Sequence, residues 1–274
     1  MQGLLLSLLF GLLIGLALGL TGGGGSIFAV PLLVYALAVP AHEAVGVSLA
    51  AVGATAAVGF VQRWRRREVE VSTGLLFAVT GMLGAPLGTW LNSLLPSAWL
   101  LVLFAVLMLA VAGRMWFKAR AAVADSVAAT CAPAGSPGPM CRRDSQGTLK
   151  LTSNCAVVLD LLGLATGVLS GLFGVGGGFV IVPVLVLFSG MGMHRAIATS
   201  LMVITLISLS GVTAYVMADR AIYFRLTCLF VLGRVMSMYL GTMATRRISG
   251  AALQKGFSAA IVAVALFTIM KSFL

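Results

Sequence analysis

Charge is what this sequence has least of. Only 9% of its 274 residues are Asp, Glu, Lys or Arg, against roughly a quarter in a soluble domain, which excludes a water-soluble enzyme or binding module. Two histidines and four cysteines, with no Cys-x-x-C pair and no Cys/His cluster at zinc spacing, give no metal centre to expect. Cys131, Cys141, Cys155 and Cys228 read as unpaired thiols, with a Cys131–Cys141 disulfide as the alternative. No Walker motif is present, and the glycine clusters neither follow a β-strand nor precede a ribose-binding acid, so no nucleotide cofactor is expected. The eighteen basic residues outnumber the seven acidic ones, for a net charge of +11. They form no stripe with interleaved aromatics, which argues against a nucleic-acid partner.

Apolar residues are what the chain has in excess: 60% of the total, with a mean hydropathy of +1.10. Apolar runs of about twenty residues recur, each long enough to cross a bilayer core of about 30 Å as a helix. They are continuous, not alternating with period two, so they predict helices and not barrel strands. The fold class is therefore all-α, a polytopic integral membrane protein. Runs cover about 3–20, 27–39, 44–62, 73–94 and 97–117, then 155–172, 179–190, 196–217, 222–245 and 250–273. The first run has no basic residue before it and exceeds a signal-peptide core, so it reads as a retained helix. The interval 120–153 is rich in Ala, Ser, Pro and Gly and reads as a linker between two transmembrane repeats, 1–119 and 154–274.

The two parts are copies. A shift of 152 residues places Gly15 on Gly167, Gly19 on Gly171 and Gly22 on Gly174. It also pairs Gly24 and Gly25 with Gly176 and Gly177, Pro31 with Pro183, His42 with His194, and Ser48 with Ser200. After a one-residue slip Gly88 meets Gly241 and Thr89 meets Thr242. Greasy helices match Leu to Val by chance, but not glycines, a proline and a histidine in register.

Loop charge then sets an expectation for orientation. Arg63, Arg65, Arg66 and Arg67 follow the run 44–62, and Arg220 and Arg225 follow its mate. Matching basic loops belong on the cytoplasmic side, which predicts parallel repeats, about eight transmembrane helices in two four-span halves, and both termini in the cytoplasm. Residues 3–39 and 155–190 are too long for one span each, about 54 Å as helix, and carry a glycine cluster in the middle. Each is expected to be a broken element: a helix, a glycine turn and a short second helix.

Three sets of residues could carry chemistry. The first is the glycine clusters, Gly22 to Gly25, and Gly174 with Gly176, Gly177 and Gly178. Such runs break a helix and leave amide groups free at the start of the next one, an arrangement suited to an anion; helix packing is the alternative. The second is His42-Glu-Ala-Val-Gly-Val-Ser48 and His194-Arg-Ala-Ile-Ala-Thr-Ser200. There Ser48, Thr199 and Ser200 could donate to an anion or bond back to helix carbonyls. The third is intramembrane charge. Arg234 falls mid-span, where arginine is costly and faces a cavity or a partner. Its planar fork suits an oxyanion, and Asp160 is the acid with which it could instead pair. His42, His194, Glu43 and Asp160 are the candidates for proton coupling.

At the glycine clusters, the His-x-Ala-x-x-x-Ser segments, Pro31 or Pro183, and Gly84-Ala-Pro-Leu-Gly88, the chain resembles the sulfite exporter TauE/SafE family, across essentially everything outside 120–153. The resemblance implies a bacterial inner-membrane transporter of sulfur-containing anions such as sulfite, thiosulfate, sulfoacetate or sulfonates. By position it assigns Gly22 to Gly25, Gly174, Gly176 to Gly178, Ser48, Thr199 and Ser200 to the substrate site. Arg234 departs from the small-residue pattern expected there. The expectation is thus a secondary transporter of a small anion in a lipid bilayer, coupled to H+ and working by alternating access. The alternatives are an intramembrane enzyme acting on a lipid phosphate and a passive anion channel.

Overall fold

The computed structural model describes residues 24–36, 39–110, 153–189, 193–218 and 224–244, with single positions 12, 15, 113, 191, 262 and 270. All regular structure among these residues is helical. A 3-10 turn, Gly24–Phe28, leads into α1 (Ala29–Ala36), α2 (Ala41–Arg65), α3 (Val71–Leu94) and α4 (Ser97–Ala110). The second half supplies α5 (Ser153–Phe173), α6 (Gly178–Ser189), α7 (Met193–Met217) and α8 (Phe224–Ala244). Three helices are long and apolar enough to cross a membrane over Ala41–Arg65, Val71–Leu94 and Arg195–Met217, and several shorter apolar helices accompany them. The protein is a polytopic α-helical membrane protein. Of the expected linker 120–153, residue 153 begins α5 and the rest lies outside the described residues, as do the first and last predicted runs, 3–20 and 250–273, apart from isolated positions.

In a bilayer, helices associate by close packing because lipid is as apolar as leucine. The sequence provides for this with glycines. Gly163, Gly167 and Gly171 line one side of α5 at a spacing of four, against Gly81, Gly84 and Gly88 of α3. A methyl group at Gly167 would collide with the backbone of Gly81, and one at Gly84 with the carbonyl of Leu164. Pro86 interrupts α3 and leaves the Met82 carbonyl without its helical donor. Ser210 of α7 donates its hydroxyl to that carbonyl at 2.7 Å, as lipid-facing chemistry demands of a broken helix.

The contacts fix how the halves run. α2 and α7 are mates under the 152-residue shift, each 25 residues long. They pack antiparallel: Gly46 against Tyr215, Leu49 against Gly211, and Gly53 against Ser208. α3 and α7 run the same way, with Gly74 beside Thr199 and Met202, and Gly81 beside Ile207. The expected parallel arrangement is therefore corrected to an inverted one. The end of the bundle that carries Arg63, Arg65, Arg66 and Arg67, hereafter the basic end, also holds the start of α7 and exposed Arg195. α7 ends at the opposite, far end, where Tyr215 meets Gly46 near the start of α2. Equal sidedness of the two basic loops falls, and with it the parity reasoning that put both termini in the cytoplasm. Loop charge failed here because two arginines in the second loop resembled four in the first.

The duplication repeats contacts as well as residues. Gly167 approaches the backbone of Gly81, and its mate Gly15 approaches the backbone of Arg234, the mate of Gly81. The halves share their core. Val52, Phe77, Ala78 and Ala85 pack in one cluster with Leu159, Ile181, Leu185, Ile204 and Ile207.

Candidate functional site

The second glycine cluster is a sharp turn between α5 and α6. Gly174, Gly176 and Gly177 have φ of 67°, 70° and 68°, the left-handed region in which a side chain costs about 1–2 kcal/mol. At Gly174 space forbids one too: an added Cβ would lie 2.5 Å from the Val45 carbonyl oxygen. The turn lies deep. Gly176 touches Val52 and Ile204, each one residue from the midpoint of its 25-residue helix. α5 starts at the basic end, since its Gly163 meets Phe77 and Thr80 near the start of α3. α6 returns to that same end, where α7 begins. The broken element is thus a re-entrant hairpin with its tip inside the bundle.

The first half brings its own turn to the same place. The 3-10 turn Gly24–Phe28 packs against α6. Ile27 and Val30 share a cluster with Leu172, Phe173 and Val175 at the tip of the hairpin, closed by Val45 of α2 and Phe104 of α4. Gly24 and Gly25 therefore join Gly174 to Gly178 at the junction of the halves. Gly22 and Gly23 lie outside the described residues.

Breaking α5 leaves its last carbonyls without helical donors, and side chains of the first half satisfy them. Ser48 donates its hydroxyl to the Gly174 carbonyl of the other half at 2.7 Å, and not to a carbonyl of its own helix. Asn92 of α3 donates through Nδ2 to the Leu172 carbonyl at 2.9 Å. Its Oδ1 is then the acceptor for His42 Nδ1 at 3.0 Å, which places the proton of the neutral imidazole on Nδ1. Tyr215 of α7 donates to the His42 backbone carbonyl at 3.0 Å. By contrast, the N–H groups of Gly176 and Gly177 donate to no group among the described residues. At the turn the Leu172 and Gly174 carbonyls are thus held by side chains, and the Gly177 carbonyl by the N–H groups of Val180 and Ile181.

Asn92 and Tyr215 escaped the sequence reading. Asn92 is one of two asparagines in the chain and stands inside an apolar run; a buried amide there requires partners, and that was the available signal. Tyr215 has Arg63 as its mate under the shift, so a search for repeated residues passes it by.

Other candidates sit elsewhere. Thr199 accepts a hydrogen bond from the Glu70 backbone N–H at 3.0 Å, holding the start of α3 at the basic end, away from the second glycine turn. Ser200 donates back to the Ile197 carbonyl at 2.9 Å. Glu43, in the first turn of α2, and Asp160, in α5, each keep one buried carboxylate oxygen without a hydrogen bond. His194 lies in the first turn of α7. No group of three or more His, Cys, Asp or Glu able to hold a metal occurs among the described residues. A groove of about 360 Å³ near the far end, lined by Pro86, Thr89, Trp90 and Tyr215, contains none of the predicted site residues.

Arg234 is fully buried in α8, and none of its three guanidinium nitrogens has a hydrogen-bond partner among the described residues. It does not pair with Asp160; the one ion pair among the described residues joins Arg63 to Glu68 at 3.3 Å. Its recorded company is the Phe230 ring, 5.7 Å from the guanidinium carbon, and the backbone of Gly15.

Comparison with known proteins agrees with this architecture. The model of the sulfite exporter TauE/SafE family matches residues 7–268. A probable membrane transporter protein of Xylella fastidiosa (strain 9a5c) is 32% identical over 99% of this chain and 97% of its own length. The probable membrane transporter protein YdhB of Bacillus subtilis is 26% identical over 82% of this chain and 83% of its own. No solved structure matches significantly. The chain belongs to the TauE/SafE family and is a multi-pass membrane transporter.

Proposed function

We propose that this TauE/SafE member is a gradient-driven secondary transporter of a small sulfur-containing anion, such as sulfite, thiosulfate, sulfoacetate or a sulfonate, across the bacterial inner membrane. The observation that carries the reading is the polarity of the buried turn. Ser48 and Asn92 occupy the Gly174 and Leu172 carbonyls, while the Gly176 and Gly177 amides donate to no group among the described residues and α6 opens directly behind them. Free carbonyls would favour a cation. Free amides at a helix N-terminus favour an anion, and irregular backbone at membrane depth belongs beside a cavity or substrate path.

The substrate set is Gly174, Gly176, Gly177 and Gly178, with Gly24 and Gly25 from the first half, and Ser48 holds the turn through the Gly174 carbonyl. Inverted helices from the two halves, meeting at the glycine turn of the second and the 3-10 turn of the first, support alternating access, in which one half rocks against the other around a central site. The Arg63–Arg67 end faces the cytoplasm on the charge rule, and Arg195 adds to it. His42 and Glu43 at the far end, and Asp160 in α5, are the proton-coupling candidates.

The test is flux into proteoliposomes of the purified full chain. Saturable sulfite or thiosulfate uptake, accelerated by unlabelled anion preloaded inside and by an imposed proton gradient, is the expected result. Flux that never saturates and ignores preloading would make it a channel. Turnover of a lipid phosphate by the pure protein would replace transport with catalysis.

A further inference from the structure

The duplication supplies the glycine turns and the small-residue helix faces twice, but among the described residues a buried positive charge occurs only once. The position that matches Arg234 of α8 is Met82 under the 152-residue shift and Gly81 of α3 under the one-residue slip, so neither mate carries a charge. The backbone environments correspond, since Gly167 presses on the backbone at 81 as Gly15 presses on that at 234. The arginine is therefore an addition to a conserved contact geometry within one chain, not a different packing solution.

A buried guanidinium without counter-charge is among the costliest groups a membrane interior can hold. Most proteins answer it with a carboxylate. Here Nε, Nη1 and Nη2 are all buried and all without a hydrogen-bond partner among the described residues. The other buried carboxylate oxygens without partners belong to Glu43, at the far end of α2, and to Asp160 in α5, and neither forms an ion pair with Arg234. The Phe230 face, 5.7 Å away, offers a fraction of what a carboxylate would. Packing alone does not explain the residue, because glycine serves at the mate position. Depth does suggest a purpose. Phe230 shares a buried cluster with Ala44, Val47 and Ala51 of α2, and Arg234 follows one helical turn further on. That places it at the level of the middle of α2, where Val52 touches Gly176.

We propose that Arg234 is the counter-charge of the transported anion and its charge selector, so that the substrate binds off the pseudo-twofold axis, on the α8 side of the glycine turns. This rests on the anion-transport reading above. A symmetric site built from two helix N-termini carries only partial charges; one guanidinium adds a full charge and a planar, multi-donor fork for an oxyanion. A monoanion then leaves the loaded site neutral, and an uncharged analogue of the same shape is rejected because it leaves the guanidinium unanswered.

The experiment measures binding to the purified full chain in detergent by thermal shift and equilibrium titration. The probes are sulfite, methanesulfonate, acetate and nitrate, with dimethyl sulfone as the uncharged isostere of methanesulfonate. Wild type is expected to bind methanesulfonate and ignore dimethyl sulfone. Arg234→Gln is expected to lose at least tenfold in affinity, with Arg234→Lys intermediate. Arg234→Gly restores the mate's residue, and free guanidinium ion in the buffer is expected to recover its methanesulfonate binding. Rescue separates a missing charge from a misfolded protein. Unchanged affinity in Arg234→Gln, or equal binding of dimethyl sulfone, overturns the inference and leaves the transporter reading standing. Arg234-dependent binding of acetate or nitrate without sulfur anions would keep the inference and refute the sulfur substrate. Binding of no anion at all by folded wild type overturns both.

Discussion

The two halves of this chain are built on one plan and differ where chemistry is concerned. Ser48 and Ser200 are mates, yet Ser48 crosses to the Gly174 carbonyl of the other half while Ser200 bonds to Ile197 in its own helix. Gly81 and Arg234 are mates, yet one is a packing contact and the other a buried charge. Asn92 holds the second glycine turn, and by the one-residue slip its mate is Thr245. The shared features, glycine turns and small-residue helix faces, make the frame and let it invert. The unshared ones, Asn92, Tyr215 and Arg234, gather at or near the junction. A duplicated carrier needs symmetry to alternate and asymmetry to select.

That contrast can be broken by substitution, and the largest effect belongs to the frame. Gly174→Val forces a β-branched residue into a left-handed φ and drives it into the Val45 backbone, so proteoliposome flux is expected to fall at least tenfold. Gly177→Val meets Thr166 instead, and is expected to abolish transport while the protein still inserts. Normal uptake by both would remove the glycine turn from the mechanism.

Next comes Asn92→Ala, which strands the Leu172 carbonyl and the His42 imidazole together. Leaving buried partners unsatisfied costs about 1–3 kcal/mol, visible as a lower unfolding midpoint in detergent. His42→Ala adds little on top of Asn92→Ala if the two act as one unit, and full additivity would dissolve the network.

Smaller still is the difference between the mated serines. Ser48→Ala is expected to cost about 1 kcal/mol and to slow flux, because a bond between halves is lost. Ser200→Ala loses only a back-bond to its own helix, and is expected to stay within about 0.5 kcal/mol of wild type with normal flux. Equal losses at both positions would mean the serines are equivalent and the asymmetry of the turn immaterial.

Helices, their breaks and the duplication were legible in the sequence because composition and glycine act locally. A run of twenty apolar residues can only be a helix in lipid, and three left-handed glycines announce a turn whatever surrounds them. Direction was not legible. A 152-residue shift is the same whether the copies pack parallel or inverted, and only loop charge was available to choose. The site was half legible: Ser48 and the glycines stood out by repetition, whereas Asn92 and Tyr215 stood out only by lacking it. Thr199, credited with anion binding, is engaged by Glu70 because α7 starts at the basic end, which follows from direction and from nothing in the segment itself.

Sidedness is therefore the decisive property. With Cys131, Cys141, Cys155 and Cys228 replaced by serine, single cysteines are introduced by Arg66→Cys, at the end of α2, and by Met217→Cys, at the end of α7, both at exposed positions. A membrane-impermeant maleimide is then applied to intact spheroplasts. The inverted arrangement predicts that the cysteine at 217 labels at once and the one at 66 only after permeabilisation. Labelling of both from the same side would contradict antiparallel halves, and with them a central site shared between two opposed glycine turns.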